Sequence, residues 1–136
     1  MNKKLLESIV IILLFALLIN GCGGGGLLSG IINVTSRTLL PSNWSSAGGI
    51  VTIIANVAGF GIEDVVAYVL NRQTNQRVPI VLSRERDGSW SGRYRADENN
   101  SNEPIQYEII IEARDNQGNT IQSEPEIIEV PAADNE

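Results

Sequence analysis

The sequence predicts an all-β domain of seven antiparallel strands that pack as a two-sheet sandwich. Short segments rich in β-branched residues recur about every ten residues, and clusters of turn residues separate them. Beyond residue 30, no segment shows the apolar spacing of an amphipathic helix. The full chain has 136 residues, and we expect a single domain over residues 31–131, followed by an acidic tail at residues 132–136.

Seven segments qualify as strands because apolar residues occupy alternate positions, as in a strand with one buried face. The alternation is clearest in the second, third and sixth segments, around Ile53, Ala67 and Ile109. In chain order the predicted strands run over Ile31 to Leu40, Gly49 to Val57, Val65 to Leu70, Val78 to Ser83, Trp90 to Ala96, Ile105 to Arg114 and Thr120 to Val130.

Prolines and one turn motif refine these strands. Pro41 ends the first strand. Pro79 cannot donate a ladder hydrogen bond, so the fourth strand is predicted to lie at a sheet edge. Asp87-Gly88 favours a two-residue hairpin turn, which predicts that the fourth strand pairs antiparallel with the fifth. Pro125 predicts a bend or bulge in the seventh strand.

The N-terminus has the three parts of a secretory signal. Lys3 and Lys4 give it a positive start, Ile9 to Ile19 is an unbroken apolar run, and Gly21 supplies a small residue before a cleavage site. The apolar run is much shorter than the roughly 20 residues that a transmembrane helix needs. We therefore predict a removable signal helix over residues 1–21 rather than a membrane span.

The end of this segment, Leu18-Ile19-Asn20-Gly21-Cys22, resembles the lipobox of bacterial lipoproteins. The resemblance implies cleavage between Gly21 and Cys22, a diacylglycerol on the sulfur of Cys22 and an acyl chain on its new amino group. Several acyl chains make such an anchor effectively permanent. Residues 22–30 are rich in glycine and are predicted to act as a flexible tether. The absence of Asp after the cysteine implies the outer membrane if the organism is Gram-negative.

The domain itself resembles fibronectin type III and related bacterial Ig-like domains. The segments that carry the resemblance are Tyr107-x-Ile109-x-Ile111-x-Ala113-x-Asp115-x-x-Gly118 as strand F and its turn, Gly49 to Val57 as strand B, Gly61-Ile62 and Val65 to Val69 as strand C, and Trp90 to Tyr94 as strand E. The resemblance implies a tyrosine-corner role for Tyr107, with a buried ring and a hydroxyl bonded to nearby backbone.

Composition excludes several classes of function. The chain has no His, and Cys22 is its only cysteine, so Ser-His-Asp and Cys-His catalysis, thiolate zinc sites and internal disulfides are excluded. The formal net charge of −6 argues against a nucleic-acid partner, which would need a basic face. A glycosidase needs two carboxylates across a sugar cleft, and a sandwich of about 100 residues has little room for one. We expect no enzyme activity.

One polar loop is a candidate calcium site. Residues 97–103 are rich in oxygen donors, and Ca²⁺ takes roughly six to eight oxygen ligands. The candidate ligands are Asp97, Glu98 and Asn100, with Asp115 added from the turn that we place beside the loop. In the competing interpretation, residues 97–103 are an ordinary solvated loop, and the turn at Asp115 uses Asx residues for its own geometry.

Two aromatic residues and a group of arginines are candidates for partner contacts. Phe60, which is flanked by glycines, and Trp44, which follows Pro41, either contact a partner or glycan or cap the end of the core. The arginines either form a basic patch or pair at the surface with acids such as Glu85 and Asp87. They lie on the fifth strand and across its hairpin, at Arg93, Arg95, Arg84 and Arg86.

The expected function is that of a lipid-anchored protein of the bacterial cell envelope, which presents a non-catalytic interaction or structural module. Its expected partners are the membrane, through Cys22, and an envelope protein or polysaccharide. No cofactor is expected apart from the covalent lipid. The alternatives are a calcium-dependent adhesion or glycan-binding module, and a small accessory subunit of an envelope enzyme or transport complex.

Overall fold

The computed structural model describes residues 32–133, which form only strands, turns and loops. The predicted signal helix, Cys22 and the tether lie outside the described residues, as does the end of the acidic tail. No helix within residues 32–133 is long and apolar enough to cross a membrane. The nine strands of this part are β1 (Asn33–Leu39), β2 (Gly49–Ala58), β3 (Ile62–Asn71), β4 (Gln76–Val81), β5 (Ser83–Arg84), β6 (Trp90–Ala96), β7 (Ile105–Asp115), β8 (Thr120–Gln122) and β9 (Glu126–Val130).

The strands form two antiparallel sheets. The four-stranded sheet has the order β1-β2-β6-β5, and the five-stranded sheet has the order β4-β3-β7, with β8 and β9 both paired to β7. The centre of the first sheet is β2, which pairs with β1 on one side and with β6 on the other. The centre of the second is β7, whose long ladder with β3 runs from Asp115 to Tyr107. The predicted all-β antiparallel class is confirmed.

The two sheets share one core, built from the alternate positions that the sequence indicated. Ile53 of β2, Ala67 of β3 and Ile109 of β7 are completely buried, while their chain neighbours are exposed or half-buried. Alternation confines the fully buried side chains to one face of each sheet. The buried hydrophobic residues are Ile32, Val34, Val51, Ile53, Ala55, Val65, Ala67, Val69, Leu82, Ala96, Tyr107, Ile109, Ile111, Ala113, Ile128 and Val130.

The predicted fourth strand is divided between the two sheets. β4 pairs with β3, and only Ser83 and Arg84 of β5 pair with β6, so the prediction of a continuous hairpin with β6 is wrong. Leu82 is the point of crossing, because its buried side chain enters the core and its backbone N–H donates to the carbonyl of Val65 at 2.9 Å. Gly92 makes room for it, since a Cβ there would lie 2.6 Å from Leu82 Cδ2. The edge position that Pro79 predicted is confirmed in β4.

The predicted seventh strand is also divided, so the described part of the chain has nine strands rather than seven. β8 ends at Gln122 and β9 begins at Glu126. Ser123 occupies the break, where its N–H donates to the carbonyl of Ile111 at 2.8 Å and its hydroxyl accepts from the N–H of Ile111 at 3.0 Å. Pro125 has no N–H to continue the ladder. The bend predicted at this proline is therefore a complete interruption.

The loops gather at two opposite ends of the strands. The Phe60 end comprises the loop at residues 59–61 and the turns at residues 85–89 and 116–119. The Asn99 end comprises the connections at residues 40–48, 72–75 and 97–104. β7 joins the two ends, and its eleven residues correspond to a separation of about 33 Å.

Candidate functional site

The loop at residues 97–103 is organised around Asn99, which is only 1% exposed. Its side-chain amide donates to the carbonyl oxygens of Glu103 at 2.7 Å and Pro131 at 2.9 Å, and its Oδ1 accepts from the backbone N–H of Ser101 at 2.9 Å. The candidate ligands Asp97, Glu98 and Asn100 are exposed around it. The loop is therefore held by internal hydrogen bonds, and the residue that holds it was not among those the sequence singled out.

Asp115 lies at the other end of the molecule from this loop. The turn that contains it follows the C-terminal end of β7, whereas the loop precedes the N-terminal end, so the interpretation of the two as neighbours is wrong. Asp115 Oδ1 accepts from the N–H groups of Gln117 and Asn119, both at 2.9 Å. The side chain of Asn119, with these N–H groups, lowers the pKa of Asp115. Its carboxylate thus serves the turn. Among residues 32–133, no three acidic side chains gather as ligands for a metal ion.

Tyr107 has the arrangement that the resemblance implied. Its ring is completely buried, and its hydroxyl accepts a long hydrogen bond of 3.4 Å from the backbone N–H of Asp97, ten residues earlier. Tyr94 packs against it edge-to-face, with the ring centroids 5.6 Å apart. Burial raises the pKa of Tyr94 well above its usual value, and Tyr107 and Asp97 raise it further. The two tyrosines join the base of the loop to the core.

The two candidate aromatic residues, Trp44 and Phe60, lie in different environments. Trp44 is half-buried against the core, and its Nε1 donates to the carbonyl of Glu129 at 2.7 Å. It caps the core at the Asn99 end. Phe60 is 83% exposed, more than any other large hydrophobic residue among residues 32–133. Beside Phe60 is a depression of about 210 Å³, whose lining includes Arg84 and Trp90.

The outer face of the four-stranded sheet carries three exposed arginines, which together with three aliphatic residues we call the arginine face. Arg37 pairs across the ladder with Ile54, and Arg95 with Ile50. Ile50 is 51% exposed, which is high for an aliphatic residue within a strand. The members of the arginine face are Arg37, Arg93, Arg95, Leu39, Ile50 and Ile54.

Charge is separated between the two sheets. The strands of the four-stranded sheet contain four arginines and no acidic residue. The strands of the five-stranded sheet contain seven acidic residues against two arginines. An acidic protein therefore presents one basic face. The alternation of Arg93 and Arg95 indicated part of this face, but Arg37 joins it only through the pairing of β1 with β2.

Of the two interpretations of Arg93 and Arg95, a basic patch or pairing with surface acids, the pairing is wrong. Within residues 32–133 the ion pairs join Arg72 to Glu108 and Arg114 to Asp64, so neither arginine of β6 takes part. The two acids that were expected to pair are otherwise engaged, because Glu85 accepts from the hydroxyl of Ser91 and Asp87 from that of Ser89. The guanidinium groups of the arginine face are left without acidic partners in this part of the chain.

Comparison with known proteins adds only weak structural similarity. No protein-family model matches the chain, and no curated protein matches its sequence. Among solved structures, the chain is similar to a DUF4426 family protein from Pseudomonas aeruginosa PAO1. The two share 10% sequence identity at a TM-score of 0.49, over 77% of this chain and 94% of that one.

Proposed function

We propose that this protein is a lipid-anchored component of a bacterial cell envelope, and that its domain is a non-catalytic, Ig-like binding module for an anionic polysaccharide. Two sequence features support the anchor, namely the signal pattern over residues 1–21 and the lipobox resemblance that ends at Cys22. The described domain begins at Ile32, ten residues further on. Such a spacing would keep the domain close to its membrane.

The strand order supports an Ig-like sandwich. In such domains strands A, B and E lie in one sheet, and strands C and F lie in the other with C′ and G beside them. Here β1, β2 and β6 take the places of A, B and E, while β4, β3 and β7 take those of C′, C and F. The buried Tyr107, with its hydroxyl on the backbone of Asp97, fits the tyrosine corner of this fold.

The observation that carries the binding function is the arginine face. Guanidinium groups bind carboxylate and phosphate groups in a planar, two-pronged geometry, and they are less strongly hydrated than ammonium groups. Three of them on the outer face of one sheet, with Ile50 and Leu39 exposed on the same face, suit an extended anionic chain that also has apolar ring faces. Envelope polysaccharides that carry carboxylate or phosphate groups have both properties.

A second copy of the chain fits this face less well, although the five-stranded sheet is acidic. Several acids on the outer face of that sheet already have partners within the domain. Glu108 pairs with Arg72, Asp64 pairs with Arg114, and Glu112 accepts from the side-chain amide of Gln122 at 2.8 Å. An external polyanion, with its charges unpaired, has more to gain from the arginine face.

Binding is tested with the full-length lipidated protein in mild detergent and with polygalacturonate, a carboxylate polymer, as the probe. The double variant Arg93→Gln/Arg95→Gln is expected to bind the probe about tenfold more weakly. The matched control Arg77→Gln/Arg86→Gln removes the same charge elsewhere and should change affinity by less than about twofold. Equal losses in both variants would reduce the effect to net charge and overturn the assignment of the face.

Purification from envelopes provides the competing outcome. If the protein copurifies with a larger envelope protein, and Arg93→Gln/Arg95→Gln abolishes that association but leaves polygalacturonate binding intact, the arginine face belongs to a protein complex. The chain would then act as an accessory subunit. If the unaltered protein retains polysaccharide fragments and the Arg93→Gln/Arg95→Gln variant loses them, the proposal is supported.

The anchor is tested separately, by mass spectrometry of the N-terminal peptide from native membranes. The proposal requires a peptide that begins at Cys22 and carries diacylglycerol. A peptide that begins at Met1, or after a different cleavage, would refute the lipoprotein assignment without affecting the polysaccharide test.

A further inference from the structure

Phe60 is held away from the core by the turn that contains it. Gly61 has a φ of 65°, a conformation that residues other than glycine rarely adopt. A Cβ on Gly61 would lie 2.7 Å from Oδ1 of Asn116, so the neighbouring turn packs directly against the loop. The backbone N–H of Asn116 also donates to the carbonyl of Gly61 at 2.8 Å. The loop is thus braced by a second turn, and its aromatic side chain projects from the end of the molecule.

The chain enters the domain at this same end. Ile32 packs beside Gly59, and Asn33 at the start of β1 is paired with Ala58 at the end of β2. Ile32 lies ten positions after Cys22, and a chain of that length spans at most about 36 Å when fully extended. A membrane that holds Cys22 therefore lies within reach of the loop that carries Phe60.

We propose that Phe60 is a membrane-contact residue, which inserts its ring into the interface of the bilayer that holds the lipid on Cys22. The inference rests on the lipid anchor of the proposed function. Phe, like Trp and Leu, is among the apolar residues by which peripheral segments bury in the boundary between headgroups and acyl chains. The anchor also makes the contact intramolecular, with an effective concentration that a short linker raises to about the millimolar range. Phe60 then only has to bias the orientation of a domain that is already held at the bilayer.

The charges at the Phe60 end indicate which lipid is required. Arg84 and Arg86 lie in or beside the turn at residues 85–89, but Glu85 and Asp87 lie there with them. Glu63, three residues from Phe60, is exposed as well, so this end carries no net positive charge. The contact is therefore expected to be apolar and to need no anionic lipid. The arginine face lies nearer the Asn99 end, because Arg95 pairs with Ile50 at the start of β2. It therefore stays free for its own partner.

The test uses two single-cysteine variants of the full-length lipidated protein in phosphatidylcholine vesicles. Cys22 is blocked by its own lipid, so Phe60→Cys and Leu40→Cys can each be labelled selectively with an environment-sensitive fluorophore. Leu40 is 42% exposed and lies at the Asn99 end, which makes it a matched apolar control. The label at position 60 should emit at shorter wavelength than that at position 40, and aqueous iodide should quench it about threefold less. Equal emission and equal quenching at both positions would overturn the proposal.

A second pair of variants places the label elsewhere and compares the protein with and without the native ring. A label at Asp87→Cys, in the neighbouring turn, should become about twofold more accessible to iodide when Phe60→Ser is added, since the end of the domain would leave the bilayer. No change would contradict insertion by Phe60. Vesicle flotation accompanies every measurement. Protein that floats with the vesicles, but whose label is not protected from iodide, disproves only the role of Phe60. Protein that fails to float disproves the lipid anchor.

Discussion

The side-chain amide of Asn99 donates to the carbonyl oxygen of Val130 at 3.2 Å, which ties the loop between β6 and β7 to the last residue of β9. The same amide also donates to the carbonyl oxygens of Glu103 and Pro131, so its two hydrogens are shared among three acceptors. Asn99→Ala would leave these buried or partly buried carbonyl groups without their donor. We therefore expect the free energy of unfolding to fall by about 2–4 kcal/mol. Urea unfolding of the full-length protein in detergent measures this change.

Asn100 provides the control for that prediction. It is the next residue in the same loop and is exposed, so Asn100→Ala should change the free energy of unfolding by less than about 0.5 kcal/mol. If both variants lost the same stability, the internal hydrogen bonds of Asn99 would not be what holds the loop.

Stability at alkaline pH should depend on Tyr94. Its pKa in the folded protein is raised, chiefly by burial, whereas in the unfolded chain it ionises near pH 10. The unfolded state therefore loses the proton first, and the stability that needs neutral Tyr94 is complete below about pH 10 and falls as the pH rises further. Tyr94→Phe should weaken this alkaline loss in urea unfolding, and Tyr68→Phe, on the outer face of β3, should not. An alkaline loss that persists unchanged in Tyr94→Phe would assign it to other groups.

The stability that ionised Asp115 contributes should be lost in acid. Its folded pKa is lowered by Asn119 and by the backbone of the turn, so its contribution is present above the unfolded value near pH 4 and is lost as the pH falls through the folded value. Asp115→Asn should flatten the dependence of unfolding free energy on pH below about pH 4. Glu98→Gln, in an exposed loop position, is the comparison, and equal flattening by both would refute the assignment.

Two glycines with similar backbone angles should differ in their tolerance of alanine. Gly48 and Gly118 have φ of 66° and 85°, so alanine is strained at either position by about 1 kcal/mol. At Gly48 a Cβ would also lie 2.5 Å from the carbonyl oxygens of Ala96 and Asp97, while at Gly118 nothing lies within 4 Å. We expect Gly48→Ala to cost about 3 kcal/mol or more and Gly118→Ala about 1 kcal/mol in urea unfolding. Similar costs would mean that the backbone around Gly48 yields easily.

The strands were predictable because burial imposes a period of two on the sequence. Ile53, Ala67 and Ile109 all lie where alternation placed them. The pairing of the strands was less predictable, since a strand of alternating residues does not encode its partner. The segment from Val78 to Ser83 shows this, because a local turn motif indicated one neighbour while the burial of Leu82 divided the segment between two sheets.

The candidate site was predictable only where it follows one strand. Arg93 and Arg95 share a face by their spacing alone, whereas Arg37 reaches that face through a ladder with β2. The separation of Asp115 from the loop at residues 97–103 was in principle available from the sequence. A strand as long as the predicted one from Ile105 to Arg114 places its two ends about 30 Å apart.

The first and last strands of the described domain start and finish at opposite ends, which sets the direction in which a pulling force would act. β1 begins beside Ala58 at one end of the molecule, and β9 finishes at Val130, beside Ile105 at the other. A force applied between these points runs along the strands and across their hydrogen bonds. The seven residue pairs that join β1 to β2 would then be loaded in shear and would have to rupture together, instead of peeling apart in succession. A domain held at the start of β1 and pulled from the end of β9 would therefore resist tension along its strands.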